Sequence, residues 1–213
     1  ATAVPAVWGD QDDADRLYEA VKTSGLKYMM FETSCYHEDL HAMRQIYRAG
    51  EFGQLVYSEG EYFHYACAVI DSYRNWRIGL PPQWYPTHSN AYYVGVTGGS
   101  FTEVSCLGMP SIREELQPQN NAYQNPFGTE IALFRTSEGG MSRMGVSWDT
   151  PGYGGEVGRV RGQKGSMIGT NYQGLEKQLP DLTKPPLPPG VQAGGHGGSH
   201  GYLGHEFVMS ILE

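Results

Sequence analysis

The N-terminal residues carry the periodicity of an amphipathic helix. Asp10 can cap a helix over residues 11–24, in which Leu17 and Val21 lie four positions apart on one face. Gly25 can adopt the left-handed conformation that ends such a helix. This segment therefore predicts one well-delimited helix.

An apolar segment and a second amphipathic helix follow. Residues 26–32, LKYMMFE, predict a short buried strand. Residues 37–49 predict a helix that ends at Gly50. Its apolar stripe consists of Leu40, Met43, Ile46 and Tyr47.

Strand-like segments dominate the rest of the chain. Residues 54–65 alternate apolar and polar positions, which predicts a strand with one solvated face. Residues 100–108, 129–149 and 155–170 continue the pattern and are joined by turns that contain Gly, as in an antiparallel sheet. Residues 179–190 form a rigid Pro-rich excursion. The order helix, strand, helix, then mostly sheet predicts an α+β fold.

Composition predicts two functional loops. Residues 71–87 are rich in Trp, Tyr, Arg and Pro and suit a loop that lines a pocket, with a helical segment over 88–96. The glycines of residues 194–204 argue against a stable helix, so we expect His196 and His200 on a mobile or tightly turned loop. Such a loop either brings imidazoles close to a ligand or is a plain connector.

Length and charge limit the function classes. The 213 residues suffice for one full domain, or one domain and part of another. A net charge of -8 without any Lys/Arg run argues against nucleic acid or an anionic membrane as a partner and favours small, neutral polar ligands.

The cysteines and the chain ends suggest where the protein resides. Cys35, Cys67 and Cys106 are odd in number and far apart, which predicts neither a disulfide framework nor a Cys-based zinc site. No apolar run reaches the roughly 20 residues of a membrane span. We expect a cytoplasmic protein, with an export leader left open, and a fragment of a longer chain because the sequence opens without Met.

One motif has the spacing of a zinc hydrolase site. His37-Glu38-x-x-His41 would place two imidazoles on the helix face opposite the apolar stripe. The pair stands in the first helical turn, no third ligand follows at a recognisable spacing, and a solvated face explains the same residues. We therefore predict no metal site here, and two histidines on the surface or at a pocket rim.

A second motif groups side chains suited to sugar chemistry. WYPTHSNAYYVGVTGG places the phenol of Tyr85, the hydroxyl of Thr87 and the imidazole of His88 on a backbone fixed by Pro, with Trp84 available for stacking. A turn with aromatic packing explains the motif equally well. The chain contains neither GxGxxG nor GxxxxGK[ST], and no GxSxG elbow.

A long segment resembles the Gfo/Idh/MocA family of nicotinamide-dependent oxidoreductases. The likeness is carried by ADRLYEAVKTSGLKYMMFETSCYHEDLHAMRQIYRAGEFGQLVYSEGEYFHY and continues, more weakly, through WYPTHSNAYYVGVTGG to GGHGGSH. The resemblance implies that residues 1–34 are the last helix-strand unit of a Rossmann domain. Residues 35–213 would then be the substrate-binding domain, a largely antiparallel open sheet with flanking helices.

The motifs SCY, GEYFH, YPTH and HGG look most similar to the NAD-dependent α-N-acetylgalactosaminidase branch of this family. The resemblance implies proton transfer by Tyr36 and His88 and cofactor contacts at Thr33 and Tyr85. It also implies substrate contacts at Tyr62, His64, Arg77, Trp84, Tyr85, Thr87, His196 and His200.

Two departures from the family motifs leave the chemical step open. Ala3-Val4-Pro5 stands where the dehydrogenases have Glu-Lys-Pro and the glycosidase branch has Glu-Val-Pro. Ser199-His200 replaces the Met-Asp that follows HGG in the glycosidases. His64 or His200 is therefore a candidate substitute base.

The sequence thus predicts a fragment of an NAD(P)-dependent oxidoreductase that acts on a carbohydrate or polyol. The alternatives are an NAD-dependent glycosidase and a non-catalytic carbohydrate-binding or accessory protein. The main NAD or NADP site would lie upstream, because the phosphate-binding glycines are absent from this chain. The resemblance also implies a homo-oligomer formed through the open sheet face.

Overall fold

The structure, a computed structural model, describes residues 2–3, 10–65, 76–175 and 177–213. Its helices are α1 (Gln11–Ser24), α2 (Glu38–Arg48), α3 (Thr87–Asn90), α4 (Val94–Thr97) and α5 (Gly195–Leu212). Its strands are β1 (Thr2–Ala3), β2 (Met29–Met30), β3 (Leu55–Phe63), β4 (Phe101–Pro110), β5 (Phe127–Thr136), β6 (Met141–Ser147), β7 (Gly155–Gly162), β8 (Gly165–Ile168) and β9 (Asn171–Gly174).

Seven strands form one open sheet in the order β4-β5-β6-β3-β7-β8-β9. The central pair β3 and β6 is parallel, and the other neighbours are antiparallel. Before this sheet, β1 and β2 form a separate parallel pair connected through α1. The α+β class with a largely antiparallel open sheet is confirmed, whereas the domain boundary at residue 34 stays a prediction.

The two predicted N-terminal helices are confirmed. The Asp10 carboxylate accepts a hydrogen bond from the Asp12 N–H at 2.8 Å, and Gly25 ends α1 at φ 65°. Three of the four residues of the α2 stripe, Leu40, Met43 and Ile46, are at 0% exposure, and Tyr47 is partly buried against the same cluster. Among the described residues, no helix has the length and apolar content needed to cross a membrane.

Two predicted elements differ in extent from the structure. The strand expected over 26–32 is reduced to β2, and Met30 is 36% exposed, so the expected burial is wrong at that position. The helical segment expected over 88–96 divides into α3 and α4, with Tyr93 between them at φ -113° and ψ -61°.

The glycine-rich loop prediction was wrong for most of its length. Helix α5 includes His200, and the backbone leaves helical geometry only at His196, Gly197 and Gly198. Helical structure persists because Ser199 and Leu203 are buried, and tertiary packing outweighs the low helix propensity of Gly. The expected tight turn is thus confined to three residues, where His196 has φ 49°.

Some predicted features lie outside the described residues. These are Val4 and Pro5 of the altered family motif, Cys67, and residues 71–75 of the aromatic loop. Cys35 and Cys106 are described, and both are free thiols.

Two apolar clusters cover one face of the sheet. The first joins α2, α4 and the strand segments around Leu55, Val160 and Met167. The second surrounds Trp148, which is 1% exposed and donates a hydrogen bond from Nε1 to the Leu80 carbonyl at 2.7 Å. Tyr62 and Tyr85 belong to the second cluster, so the motif residues predicted from sequence sit at its edge.

A pair of glycines lets α3 approach the centre of the sheet. Gly60 of β3 lies opposite Gly158 of β7. A Cβ at Gly60 would stand 2.1 Å from the Ser89 carbonyl oxygen, and one at Gly158 would stand 2.3 Å from Cγ of Tyr92. Only glycine fits both positions, and the close approach brings His88, next to Ser89, against the sheet.

We predict that Gly60→Ala destabilises the fold by about 3 kcal/mol, because the added methyl group has to displace the backbone of α3. The measurement is the free energy of unfolding in urea. Gly204→Ala is the matched control: apart from its chain neighbours and the backbone of its own helix, no atom lies within 4 Å of its added Cβ, so we expect unchanged or slightly raised stability. Equal stability of the two variants would contradict the packing argument.

Candidate functional site

A buried carboxylate and imidazole form the centre of the candidate site. Glu32 follows β2, and His88 lies on α3, 56 positions later in the chain. His88 Nδ1 is 2.6 Å from Glu32 Oε1, and the residues are 4% and 6% exposed. Because Nδ1 is bound to Glu32, Nε2 is the ring nitrogen left for a ligand.

Ser34 and Glu156 extend this pair. The Ser34 Oγ lies 3.2 Å from His88 Nδ1 and donates a short hydrogen bond to Glu156 Oε2. The Ser34 N–H in turn donates to Glu32 Oε1 at 2.9 Å, which fixes the 3₁₀ turn Thr33–Tyr36 against the carboxylate. The second carboxylate oxygen, Glu156 Oε1, is 3.7 Å from His88 Nδ1.

The attraction between Glu32 and His88 determines the protonation state of both groups. Burial alone favours the neutral imidazole, but the hydrogen bond to Glu32 and the charges of Glu32 and Glu156 outweigh it and raise the pKa of His88 above its ordinary value. Burial alone also favours the neutral carboxyl at Glu32. Contacts with His88, Thr87 and the Ser34 N–H outweigh it and lower the pKa of Glu32. An imidazolium beside a carboxylate is therefore the favoured state.

A cleft of about 570 Å³ opens next to His88. It brings together eight of the residues predicted from sequence: Thr33, Tyr62, His64, Arg77, Tyr85, His88, His196 and His200. Phe31, Gly155, Glu156 and Leu203 complete its lining. The strand β3, the helix α3, the start of β7 and the start of α5 thus converge on one cleft.

Aromatic rings and one cation give the cleft its surface chemistry. Tyr62 stacks on Tyr85 with ring centroids 5.6 Å apart, and its ring centroid lies 4.4 Å from that of His88. Arg77 donates from Nη2 to the Tyr85 hydroxyl at 3.0 Å. Burial and the charge of Arg77 lower the pKa of His64, which favours a neutral ring there.

Three predicted site residues lie outside this lining. Tyr36 lines a second cleft of about 470 Å³, where burial and Glu206 raise the pKa of its phenol to about 12. Trp84 packs edge to face on Tyr123 at 5.8 Å, beside the second apolar cluster. Thr87 keeps a buried hydroxyl beside Glu32, whose pKa it helps to lower. Of the two residues predicted to transfer protons, only His88 is in the cleft.

The two histidines of the zinc-like motif face different surroundings. His37 precedes α2 as its N-cap residue, and its Nε2 donates to the His196 carbonyl at 3.1 Å and lies 3.4 Å from Glu156 Oε2. His41 lines the second cleft with Tyr36. The expectation that both are surface or rim residues stays a prediction: the His37 side chain is 19% exposed and contacts His196 and Glu156, which line the first cleft.

The side chains able to hold a metal ion are those of the buried network. In the described part of the chain, ligand atoms of Glu32, His88 and Glu156 all lie within 4.8 Å of one another. The 2.6 Å between His88 Nδ1 and Glu32 Oε1 is a hydrogen-bond distance, whereas two ligands of one tetrahedral cation are separated by about 3.4 Å. A shared proton accounts for this geometry.

Sequence reasoning missed Glu32, Ser34 and Glu156. Glu32 closes the segment LKYMMFE and directly precedes the predicted site residue Thr33. A carboxylate at the end of a predicted buried strand was the available signal. No spacing signal connects Glu156 to the others, because it is 122 residues from Ser34.

The fold is shared with solved dehydrogenases and oxidoreductases. Levoglucosan dehydrogenase in complex with NADH matches 94% of this chain and 60% of its own, at 16% identity and a TM-score of 0.69. An oxidoreductase from Agrobacterium radiobacter, in complex with NAD+, L-tartaric acid and magnesium, matches 94% and 58%, at 12% identity and a TM-score of 0.62. Apo scyllo-inositol dehydrogenase from Lactobacillus casei matches 74% and 45%, at 12% identity and a TM-score of 0.58.

These matches are structural. No protein-family model matches the sequence, and comparison with curated protein sequences gave no match. The chain spans less than two thirds of each structure named. The expected Gfo/Idh/MocA-type fold is confirmed as a fold, and the α-N-acetylgalactosaminidase branch is not shown.

The Glu32–His88 pair predicts a bell-shaped pH dependence of stability. The raised pKa of His88 gives stabilisation that is complete below its ordinary value of 6.5 and is lost as pH rises through the raised pKa. The lowered pKa of Glu32 gives stabilisation that is present above its ordinary value of 4.5 and is lost as pH falls through the lowered pKa. Wild type should therefore exceed the double variant Glu32→Gln/His88→Gln most between pH 4.5 and 6.5.

Urea unfolding across a pH series measures this difference, which we expect to reach about 2 kcal/mol for a charged hydrogen bond. The matched control is Glu38→Gln/His41→Gln on α2, where burial and neighbouring cations lower the pKa of His41. The control should show no maximum in that window. A difference that stays constant with pH, or grows above pH 6.5, would refute the assignment of the proton.

Proposed function

We propose that this chain forms the substrate side of the active site of an NAD(P)-dependent oxidoreductase that acts on a carbohydrate or polyol. The observation that carries the proposal is His88, whose Nδ1 is bound by Glu32 at 2.6 Å while the ring lines the cleft. An imidazole oriented by a carboxylate is a recurrent general acid–base arrangement. The levoglucosan and scyllo-inositol dehydrogenases that share the fold support the substrate class.

The role of His88 follows from the balance of the reaction. Oxidation of an alcohol removes a hydride from carbon and a proton from the hydroxyl group, and the nicotinamide accepts the hydride when bound. His88 Nε2 takes the proton. Because the pKa of His88 is raised, the imidazolium form dominates the resting site, which suits proton donation during ketone reduction. Oxidation would then accelerate as pH rises through that pKa.

The lining of the cleft suits a neutral polyhydroxylated ligand. Tyr62 and Tyr85 offer ring faces to the C–H groups of a sugar, and Arg77 and His64 offer polar groups to its hydroxyls. Burial, with Tyr85 nearby, raises the pKa of the Tyr62 phenol, so it remains a hydrogen-bond donor at neutral pH. The cleft therefore combines stacking surfaces with both neutral and charged hydrogen-bond donors.

The residues of this chain fit only one end of a dinucleotide. Thr33 and Tyr85, the predicted cofactor contacts, line the cleft beside His88. A glycine-rich phosphate turn is absent from the sequence. We propose that the phosphates are bound by residues outside this chain, in line with its partial coverage of the dehydrogenases.

Two other functions use the same cleft. An NAD-dependent glycosidase would use His88 as a base during oxidation and elimination, and the similar SCY, GEYFH, YPTH and HGG motifs favour it. A non-catalytic carbohydrate-binding protein would explain why Ala3 stands at the family's Glu position.

Turnover with nicotinamide separates these functions. We expect the whole protein to accumulate NADH or NADPH when given NAD(P) and a polyol or sugar from a panel of such compounds. His88→Gln should lower kcat at least about 100-fold, because the general base is lost. His205→Gln should retain activity, since His205 lines neither cleft.

Each alternative gives its own result in that assay. Cleavage of an aryl glycoside without net consumption of NAD would establish the glycosidase. Saturable sugar binding without either reaction would establish the accessory protein. Wild-type turnover by His88→Gln would exclude His88 as the base.

We further propose that a second copy of the chain covers the open face of the sheet. The open face is defined by side chains of β4 to β7 that point away from the helices, and its exposed apolar members are Leu107 (81%), Met109 (62%), Leu133 (52%), Met141 (55%) and Val157 (57%). Arg143 and Glu61 form an ion pair of 2.6 Å among them. Exposed apolar side chains on a sheet face, here with ion pairs between them, are a feature of interfaces between subunits.

Light scattering tests whether a second copy of the chain covers the open face. We expect the wild-type protein to be a dimer or larger, and Leu107→Glu to reduce its mass, because the carboxylate would be buried without a partner. Leu175→Glu is the control, since Leu175 is equally exposed at 80% but follows β9 at the opposite edge of the sheet. A monomeric wild type, or a Leu107→Glu variant of unchanged mass, would contradict this interface.

A further inference from the structure

We propose that the second cleft binds a small organic anion through its phosphate or carboxylate group. The cleft, of about 470 Å³, lies between α2, residues 181–185 and α5. It shares no lining residue with the cleft beside His88. The proposed anion site is therefore separate from the sugar site, and it does not depend on the oxidoreductase activity.

Three cations line the second cleft. Arg44 and Arg48 are four positions apart on one face of α2, and Lys184 belongs to the Pro-rich segment. In the described part of the chain none of the three forms an ion pair, although Asp and Glu outnumber Lys and Arg by 23 to 15 in the sequence. An oxyanion would supply the charged partner that these side chains lack.

The backbone holds the guanidinium group of Arg44 in place. Its Nε donates to the Gly95 carbonyl and its Nη2 donates to the Cys35 carbonyl, both at 2.7 Å. Both acceptors are neutral, so the charge of Arg44 is not compensated, and the N–H groups of Nη1 are left for a ligand. A guanidinium group that is fixed before the ligand binds loses little conformational entropy on binding.

Lys184 is positioned in a similar way. Its Nζ donates to the Tyr36 carbonyl at 2.6 Å and lies 4.0 Å from the ring centroid of Tyr202. An ammonium group has three donors, so this contact leaves further N–H groups for a ligand. Burial lowers the pKa of Lys184, and a bound anion would offset part of that desolvation.

His41 couples the site to a proton. Burial lowers the pKa of His41, and the charges of the same three cations lower it further, whereas a hydrogen bond with the Thr183 backbone acts in the opposite direction. Asp181 and Glu206 also line the cleft, so three positive charges there face two negative ones. A bound anion would favour protonation of His41, which would then contribute a fourth positive charge.

The shape of the cleft favours an organic anion over a bare ion. Guanidinium groups pair well with two oxygens of one carboxylate or phosphate group. The volume of about 470 Å³ lies in the range of small-molecule sites and leaves room for more than the anionic group. Tyr36 and Tyr202 offer ring surface, and Gln45 an amide, to the rest of the ligand.

Histidine NMR spectra of the whole protein test the site during titration with inorganic phosphate, glucose 6-phosphate or malate at constant ionic strength. The ring of His41 reports on the second cleft and that of His200 on the first. We expect saturable shifts of the His41 signals and a rise in the pKa of His41 as the anion binds. Tighter binding of glucose 6-phosphate than of malate would identify a phosphate ester as the ligand class, and the reverse a carboxylate.

Single substitutions of the cations test their roles. Arg48 is exposed in the last turn of α2, so Arg48→Gln should fold normally and bind the anion about fivefold more weakly, as for one exposed charge. Lys184→Gln should weaken binding about tenfold or more, because its ammonium group is partly buried. Arg16→Gln is the matched control: it removes the same charge from α1, lines neither cleft and should bind as wild type does.

Three results would overturn the anion site. The first is the absence of saturable binding for all three compounds. The second is equal affinity in wild type, Arg48→Gln and Lys184→Gln. The third is a shift of the His200 signals while those of His41 stay unchanged, which would place the anion in the cleft beside His88. Each readout is binding to the folded chain, so failure of this site and failure of the proposed oxidoreductase activity are distinguishable.

Discussion

The ion pair between Glu32 and His88 is the interaction on which the site depends. Both groups are nearly inaccessible to water, so each would carry a large desolvation cost alone. His88 Nδ1 and Glu32 Oε1 are 2.6 Å apart and share one proton, and the Ser34 N–H donates a further hydrogen bond to Glu32 Oε1. Loss of one partner would leave a buried charge uncompensated, at a cost of about 3–5 kcal/mol. The pair thus fixes the turn after β2 to α3, although the two are distant in sequence.

The pair can form only because the sheet admits α3 so closely. Gly60 and Gly158 remove the side chains that would separate helix and strands, and Tyr92 packs over the space they leave. Ser89 then donates from Oγ to the Gly145 carbonyl at 3.0 Å, which fixes the helix to β6 as well. These contacts fix the position of His88 on α3. Close packing of the backbone therefore sets the distance between the Glu32 and His88 side chains.

Sequence patterns correctly predicted the helices whose boundaries depend only on neighbouring residues. Asp10 and Gly25 delimit α1 because capping requires only neighbouring residues, and the α2 stripe follows from helical periodicity. The predicted cleft residues were found because short motifs carry them. Glu156 could not be found in this way, since β7 brings it to Ser34 only through strand pairing across the whole sheet. Likewise, α5 forms through its glycines because burial of Leu203 outweighs local propensity.

The two histidines of the HExxH motif show why spacing alone does not define a metal site. Residues four apart share a helix face only if both have helical backbone angles. His37 has extended angles as the N-cap residue, whereas His41 lies within α2. The side chains consequently diverge, one to Glu156 and the other to the second cleft. When such a motif begins at the N-cap residue, its first side chain lies against the residues that pack on the start of the helix. In this chain, those residues belong to the network around His88.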